Sequence, residues 1–287
     1  MLLTAMAIVA LVFYGLKFGV DFRGGSVLEL TAKNRPPLND LQTLFSADTS
    51  LKEPTVSFVG AQGVIVKMGA LSEEKHQAIL KSLRAKFPEA NIQEVRFDSI
   101  GPTVGQELRQ KSLTAILILL ASITLYIVFV FRKLSRIFSP WIMSFATLLA
   151  LAHDILIPLG VFAFLGHLRD VEISAVFVAA ILTILGYSIS DTVIVFDRVR
   201  ENTLRGLAKD EGFGQLVHRS IMQTLVRSLN SSLTTLLSLV AIYFFGGESI
   251  RYFALALIIG IAAGAYSSIF VASPVLVWLS EWKRSGK

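Results

Sequence analysis

Long stretches without charged side chains dominate the second half of the chain. Residues 112–131, 173–190, 228–247 and 252–280 carry no Lys, Arg, Asp or Glu, and residues 137–166 carry only Asp154. A helix that crosses a lipid bilayer needs roughly 20 mainly apolar residues. We therefore predict a five-span bundle within residues 111–287, with helices at approximately 112–132, 140–166, 173–197, 228–247 and 252–280.

Residues 1–16 are also uncharged and predict a further span, which we place at 1–18. The alternative interpretation is a secretory signal peptide. Signal peptides have a basic start and a small-residue cleavage site, and neither of these precedes Lys17. We therefore expect a membrane anchor here, and six spans in total.

The segment between the first two spans, residues 19–110, has a different composition. Residues 17–111 contain 13 Lys or Arg and 11 Asp or Glu, which is a higher share of charged residues than the 17% of the whole chain. This mixture is typical of a water-soluble domain. The chain has no cysteine, which excludes disulfide scaffolds, Cys-ligated zinc and iron–sulfur clusters.

Basic residues in the connecting segments predict the orientation. Only Arg169 and Arg251 lie in the short connecting segments on one side of the predicted membrane, the side that also carries residues 19–110. Because Lys and Arg are retained on the cytoplasmic side, both termini should be cytoplasmic and residues 19–110 external, or periplasmic. The twelve basic residues on the other side are Arg132, Lys133, Arg136, Arg198, Arg200, Arg205, Lys209, Arg219, Arg227, Lys283, Arg284 and Lys287.

The external segment has a pattern of strands and helices. Its elements follow the order βαββαβ, which predicts a ferredoxin-like α+β domain. We expect His76, which lies among charged helix residues, to be a solvated surface side chain. The predicted strands are 26–33, 55–60, 63–68 and 92–99, and the predicted helices are approximately 38–46 and 72–87.

Ionisable residues within membrane helices are costly and therefore indicate function. Asp154 lies near the middle of its span, and Asp191 lies toward the cytoplasmic end of the next one. Tyr187 shares a helix face with Asp191, and Ser188 lies beside them. Asp197 lies where the same helix should emerge, so an interfacial acid paired with Arg198 or Arg200 is its simpler interpretation.

The fifth predicted span begins with Arg227 and carries a polar stripe. This stripe should face the interior of the bundle rather than lipid, where it can meet Asp191. Its further members are Asn230, Ser231, Thr234 and Ser238.

An acid beside a permanently charged arginine is suited to proton coupling. The guanidinium stabilises the carboxylate, whereas desolvation stabilises the neutral acid, so a small structural change can alter protonation. A proton that crosses the membrane gains about 2.3 kcal/mol per 100 mV. The alternative is a static ion pair that only fixes helix packing. Gly260 and Gly264 form a GxxxG pair, for which close helix packing is the expected role.

Several segments together resemble the SecF family of bacterial protein-export membrane subunits, which belongs to the SecD/SecF family and the RND superfamily. They cover nearly the whole chain in the family order. These segments are VDFRGGSVLEL (20–30), AHDILIPLG (152–160), GYSISDTVIVFDRVREN (186–202), VRSLNSSLTTLLSLVAIYFFGG (226–247) and IRYFALALIIGIAAGAYSSIFVASPVL (250–276).

The resemblance implies an α-helical integral membrane protein, with a six-span RND-like bundle and an external ferredoxin-like domain. It implies a place in the cell inner membrane and action with SecD and the SecYEG channel on unfolded preproteins. The family's membrane acid falls on Asp191 and its arginine on Arg227. Protons would be the coupling ion, with no other cofactor and no enzymatic activity.

Three alternatives compete with this assignment. An RND-like exporter subunit for lipid or a small amphiphile would share the bundle, but it would usually need larger external domains. An intramembrane aspartyl protease would need Asp154 and Asp191 in contact, and GYSISD is not the motif of that class. A structural assembly factor is the third. The sequence has no Walker loop or nucleotide-binding fingerprint, so ATP use by this chain is not expected. A nucleic-acid partner is not expected either. The basic segment 198–219 is interpreted as topological, with contact to membrane lipid as the alternative.

Overall fold

The computed structural model describes residues 2–48, 51–52, 54–132, 139–206 and 212–285. The basic residues Lys133, Arg136, Lys209 and Lys287 of the orientation argument lie outside these residues. The chain divides into two compact units. One consists of residues 1–17 with 113–287, and the other of residues 18–112.

The unit of residues 18–112 is built on a four-stranded antiparallel sheet. Its strands lie in the order β2-β3-β1-β4. The elements follow one another as α2 (Val20–Arg23), β1 (Gly25–Thr31), α3 (Leu38–Ala47), β2 (Thr55–Val59), β3 (Gly63–Met68), α4 (Glu73–Lys86), a 3-10 turn (Pro88–Ala90) and β4 (Gln93–Ile100).

Residues on one face of this sheet pack against α3 and α4. Alternate residues of β1 and β3 are buried, as a period of two requires. Ser72 caps the start of α4, since its hydroxyl accepts a hydrogen bond from the backbone N–H of Lys75. The largest core side chains are Phe45, Leu28, Leu30, Leu41 and Leu83.

Two consecutive glycines begin β1. Gly24 and Gly25 have φ of +78° and +137°, a region that other residues rarely adopt. A Cβ at Gly24 would lie 2.7 Å from Cα of Pro102, and one at Gly25 would lie 2.8 Å from the carbonyl oxygen of Met68. Glycine is therefore required at both positions by conformation and by space.

The other unit is helical. Its helices are α1 (Leu2–Tyr14), the later part of α5 (Pro102–Val130), α6 (Pro140–Arg169), α7 (Ala175–Leu204), α8 (Phe213–Phe245), α9 (Glu248–Ser267) and α10 (Ser273–Ser285). A π-helical turn, Ser268–Ala272, joins the last two into one long helix. Among the described residues, five helices are long and apolar enough to cross a membrane, and α1 is apolar but shorter.

Small residues bring the helices of this unit close together. A Cβ at Gly160 would lie 2.4 Å from Cα of Ala7, so α6 and α1 approach closely at this point. A Cβ at Gly260 would lie 2.2 Å from Cδ1 of Ile184 on α7. The Gly260 position of the predicted GxxxG pair therefore does form a close helix contact.

The expectation that His76 is solvated is wrong. Its side chain is only 4% exposed, and its ring stacks on Phe97 with centroids 3.7 Å apart. Nδ1 lies 3.2 Å from the Glu73 carboxylate, and Nε2 lies 3.3 Å from that of Glu94. The helix register of α4 turns the imidazole toward β4, which a count of charged neighbours does not show.

Candidate functional site

The candidate site lies in the helical unit, where two acids are buried. Asp154 on α6 is completely inaccessible, and Asp191 on α7 is 3% exposed. Burial of a carboxyl group is costly unless hydrogen bonds satisfy its oxygens. The hydrogen-bond partners of each carboxyl group therefore determine what chemistry the site can carry out.

Asp154 is held by three helices. One of its carboxylate oxygens accepts hydrogen bonds from the hydroxyls of Ser188 on α7 and Ser267 on α9, the latter over 2.8 Å. The other oxygen lies 3.0 Å from Nδ1 of His153. The ring of His153 in turn stacks on Tyr266 with centroids 6.1 Å apart. Asp154 thus joins α6, α7 and α9 through one carboxyl group.

Pro158 lies one turn after Asp154 within α6. Proline has no backbone N–H, so the carbonyl of Asp154 lacks the donor that a regular helix would supply. This break in the helical hydrogen bonding lies at the level of the buried carboxyl group, so the Asp154 backbone carbonyl is a further acceptor in this part of the bundle.

Asp191 faces α8. Its carboxylate accepts a hydrogen bond from the hydroxyl of Ser232 over 3.2 Å. Ser228, one turn earlier on α8, is also buried and its hydroxyl faces the same carboxyl group. Within the described residues, the Ser228 hydroxyl makes no hydrogen bond of ordinary geometry.

The predicted polar stripe lies elsewhere on α8. Arg227, Asn230, Ser231 and Thr234 belong to its exposed face, as does Ser238. In the part of the chain that the structure describes, no ion pair joins Arg227 to Asp191. A helix face that carries an arginine and several hydroxyl and amide groups is an unusual one to present to lipid.

Tyr187 and Ser188 point to different partners. The Tyr187 hydroxyl lies 3.4 Å from that of Ser231 and 3.3 Å from that of Thr235, so it links α7 to α8. Ser188 donates to Asp154 instead. Tyr187 therefore contacts the exposed polar face of α8 at Ser231.

Asp197 is half-exposed near the end of α7. Its carboxylate lies 2.9 Å from Nη2 of Arg200, one turn later on the same helix. Arg198 donates instead to Glu201 and, over 2.7 Å, to the side-chain oxygen of Gln223 on α8.

The buried face of α8 was not expected from the sequence. It carries hydroxyl groups at strict four-residue intervals, and these face α7. We call this set the hydroxyl ladder: Ser220, Thr224, Ser228 and Ser232. The i, i+4 repeat of small hydroxyl residues is the signal in the sequence that indicates this face.

Comparisons with known proteins agree on one family. The family model for the C-terminal part of the protein export membrane proteins SecD/SecF matches residues 79–282. The model for the SecD/SecF GG motif matches residues 9–34 and includes the glycine pair that begins β1.

Individual relatives give the same result. The protein translocase subunit SecF of Thermobaculum terrenum is 41% identical over 282 residues, covering 93% of this chain and 86% of the relative. That of Synechocystis sp. is 36% identical, covering 92% of this chain and 83% of the relative. The crystal structure of SecDF, a translocon-associated membrane protein from Thermus thermophilus, superimposes with a TM-score of 0.81 at 36% identity. It covers 99% of this chain, which spans only 37% of that longer protein.

Proposed function

Because the chain belongs to the SecD/SecF family of protein export membrane proteins, we propose that it couples proton movement across the inner membrane to late preprotein translocation. Relatives named as protein translocase subunits give it a role in transport rather than catalysis. We further propose that SecD, the SecYEG channel and the unfolded preprotein are its partners, and that protons are the coupling ion.

The observation that carries the proposal is the Asp191 carboxyl group. It is buried inside a bundle of membrane-type helices, and its hydrogen-bond partner is a serine hydroxyl rather than a basic side chain. An intramembrane acid without a bonded cation is suited to bind and release a proton. Asp154 is the second candidate acid, although its serine donors and His153 also suit a role in fixing three helices.

Arg227 is proposed to act together with SecD. Its exposed polar face supports a position against the spans of this partner, since polar groups in a membrane are stabilised by polar neighbours. The longer SecDF relatives, in which a SecF-like region forms about a third of one chain, also support SecD as the neighbour. Packing of SecD spans on this face would exclude lipid and bring Arg227 into the coupling site.

The proposal extends to fold and orientation. We assign α1 as a sixth span because it packs closely against α6 at Gly160. The βαββαβ succession and the strand order support a ferredoxin-like fold for the unit of residues 18–112. The bias of basic residues supports cytoplasmic termini and a periplasmic location for this unit.

Motion of the helical bundle against SecD would move the unit of residues 18–112, so that this unit holds or releases the emerging polypeptide.

The test is proton-gradient-dependent export in membrane vesicles that contain SecD and the channel. Asp191→Asn and Arg227→Ala should each abolish the gradient-dependent part of export. Asp197→Asn makes the same chemical change on the same helix, in a half-exposed surface ion pair, and should retain export. Full gradient-dependent export by Asp191→Asn would refute the proposed coupling, and full gradient-dependent export by Arg227→Ala would refute the role of Arg227 in it.

A further inference from the structure

The contacts between α7 and α8 define an antiparallel arrangement of the two helices. Asp191 bonds to Ser232 at one level, and Asn202 bonds to Ser220 at another. Eleven residues separate the two levels on α7, which corresponds to about 16 Å along the helix. The hydroxyl ladder of α8 spans this interval, so it connects the level of the buried acid with the level of Asn202.

The opposite wall of this interval is apolar. Val195 and Val199 lie on α7 between the two levels, and both are almost completely buried. The contact between the two helices therefore has a polar side, formed by the hydroxyl residues of α8, and an apolar side, formed by the valines of α7. Such a polar side is able to bind water, provided that its polar groups are not all satisfied within the protein.

The bonding of the ladder shows where water is needed. The hydroxyls of Ser220 and Thr224 donate to backbone carbonyls of their own helix, over 2.8 and 3.0 Å. The Thr224 oxygen is thereby left available as an acceptor, whereas the Ser220 oxygen already accepts one hydrogen bond, from Asn202. Ser228 is 3% exposed, and its hydroxyl faces the Asp191 carboxyl group but makes no hydrogen bond of ordinary geometry within the described residues. A buried hydroxyl of this kind is normally satisfied by ordered water.

The spacing of the ladder fits one water molecule in each gap. Residues four apart on a helix are separated by about 6 Å along its axis. Two hydrogen bonds between oxygen atoms, each about 2.8 Å long, span nearly the same distance. Water between successive hydroxyls would thus form a continuous file of hydrogen bonds.

Beyond Thr224, polar side chains lie at the end of the proposed row of water molecules. The amide of Asn202 donates to the hydroxyl of Ser220 and to the side-chain oxygen of Gln223, each over 2.9 Å. That oxygen also accepts from Nε of Arg198, over 2.7 Å. We call Asn202, Gln223 and Arg198 the amide latch. Asn202 is 1% exposed, whereas Gln223 is exposed, so the latch joins the interior to the surface.

We propose that the hydroxyl ladder is a hydrated proton route that joins Asp191 to the end of the bundle closed by the amide latch. This inference rests on the proposed proton coupling and supplies the path for it. A proton passes when a ladder hydroxyl turns from its backbone acceptor, accepts a proton from one water and releases its own to the next. The basic residues near the latch predict that this end is cytoplasmic.

Labelling of introduced cysteines tests whether water reaches the hydroxyl ladder. The chain has no cysteine, so Thr224→Cys and Ser228→Cys can each provide a single thiol in the full-length protein in vesicles. A positively charged methanethiosulfonate reagent, added from the latch side, should modify both. Leu229→Cys, on the exposed face beside Ser228, and the buried Leu239→Cys are the controls and should not react. A Ser228→Cys variant as unreactive as the controls would overturn the inference.

Removal of the hydroxyls tests whether the ladder carries protons. In the double variant Thr224→Val with Ser228→Val, gradient-dependent export should fall to the level of Asp191→Asn. The exchange of Thr224→Ser with Ser228→Thr keeps both hydroxyls and the total volume, and should retain export. Equal export by the two double variants would overturn the proton route.

The two proposals fail in different ways. If Asp191→Asn retains gradient-dependent export, the proposed coupling fails, whatever the labelling shows. If Asp191→Asn abolishes it and the ladder thiols do not react, the coupling stands and the route is wrong. Detergent-solubilised yield and resistance to protease show whether each variant is folded.

Discussion

The hydroxyl of Ser267 lies 2.8 Å from a carboxylate oxygen of Asp154, although 113 residues separate them in the chain. Ser188 bonds to the same oxygen from a third helix. A fully buried carboxyl group is thereby satisfied by donors from two neighbouring helices, and the bond from Ser267 fixes the position of α9 against α6.

Ser267→Ala should therefore destabilise the helical unit. It removes one donor to a buried carboxyl group, which we expect to cost about 0.5–2 kcal/mol. The measurement is the unfolding midpoint of the purified chain in detergent. Ser238→Ala provides the control, because Ser238 is exposed and donates only to a carbonyl of its own helix. Equal midpoints for the two variants would contradict this account of Asp154.

Gly260→Leu should disrupt the contact between α9 and α7. Its Cβ would lie 2.2 Å from Cδ1 and 2.5 Å from Cγ1 of Ile184, so the Ile184 side chain has to move. Overpacking of this kind costs about 1–3 kcal/mol. Ile184→Ala in the same chain should restore part of the lost stability. Gly186→Leu serves as the control, since a Cβ there meets no atom within 4 Å.

Gly160→Leu should loosen α1 from α6. The new Cβ would lie 2.4 Å from Cα of Ala7, and a backbone atom moves less readily than a side chain. We expect a larger loss of stability than for Gly260→Leu, together with faster protease cleavage within residues 15–19. If Gly160→Leu and Gly186→Leu have the same midpoint and the same cleavage rate, α1 does not pack as described.

The acid response of the sheet-containing unit should depend on Glu73. Hydrogen bonds from Gln77 and then from His76 lower the pKa of the Glu73 carboxyl group. A lowered folded-state pKa gives stability that is present above the ordinary glutamate pKa and is lost as pH falls through the lowered value.

Gln77→Leu should accordingly reduce the stability of α4 at neutral pH, and its difference from the parent chain should shrink as the solution becomes acidic. Hydrogen exchange of α4 peptides in the full chain, corrected for the intrinsic pH dependence, measures this effect. In a Glu73→Gln background the Gln77 substitution should have no pH-dependent effect. A difference that grows on acidification would contradict the assigned hydrogen bonds.

Local patterns in the sequence were sufficient for the elements of the sheet-containing unit. Strand alternation, the Ser72 cap and Pro88 predict all four strands and the helices α3 and α4 to within about two residues, because these signals act over a few neighbouring positions. The short helix α2 is not predicted. The burial of His76 was missed since it depends on the strand that α4 packs against, and this contact joins distant parts of the chain.

The candidate site was only partly accessible to the same reasoning. Composition identified Asp154 and Asp191, because a charge in an apolar span is conspicuous. It did not identify Ser232 or Ser267 as their partners, since a serine at a helix contact has no distinctive local pattern. The sequence predicts that the polar stripe of Arg227 faces the bundle interior, yet the side chains that meet Asp191 lie on the adjacent face of α8. Which polar face of a helix turns inward depends on its neighbours.

The π-helical turn at Ser268–Ala272 has a consequence for insertions and deletions in the last long helix. A wide turn of this type accommodates one residue more than the regular α-helix does. Deletion of Phe270, whose side chain is exposed, would let the backbone close into regular α-helical geometry while Ser267 and Ser273 keep their sides of the helix. A length change of one residue is thus absorbed here, whereas within α7 it would rotate every later side chain by about 100°.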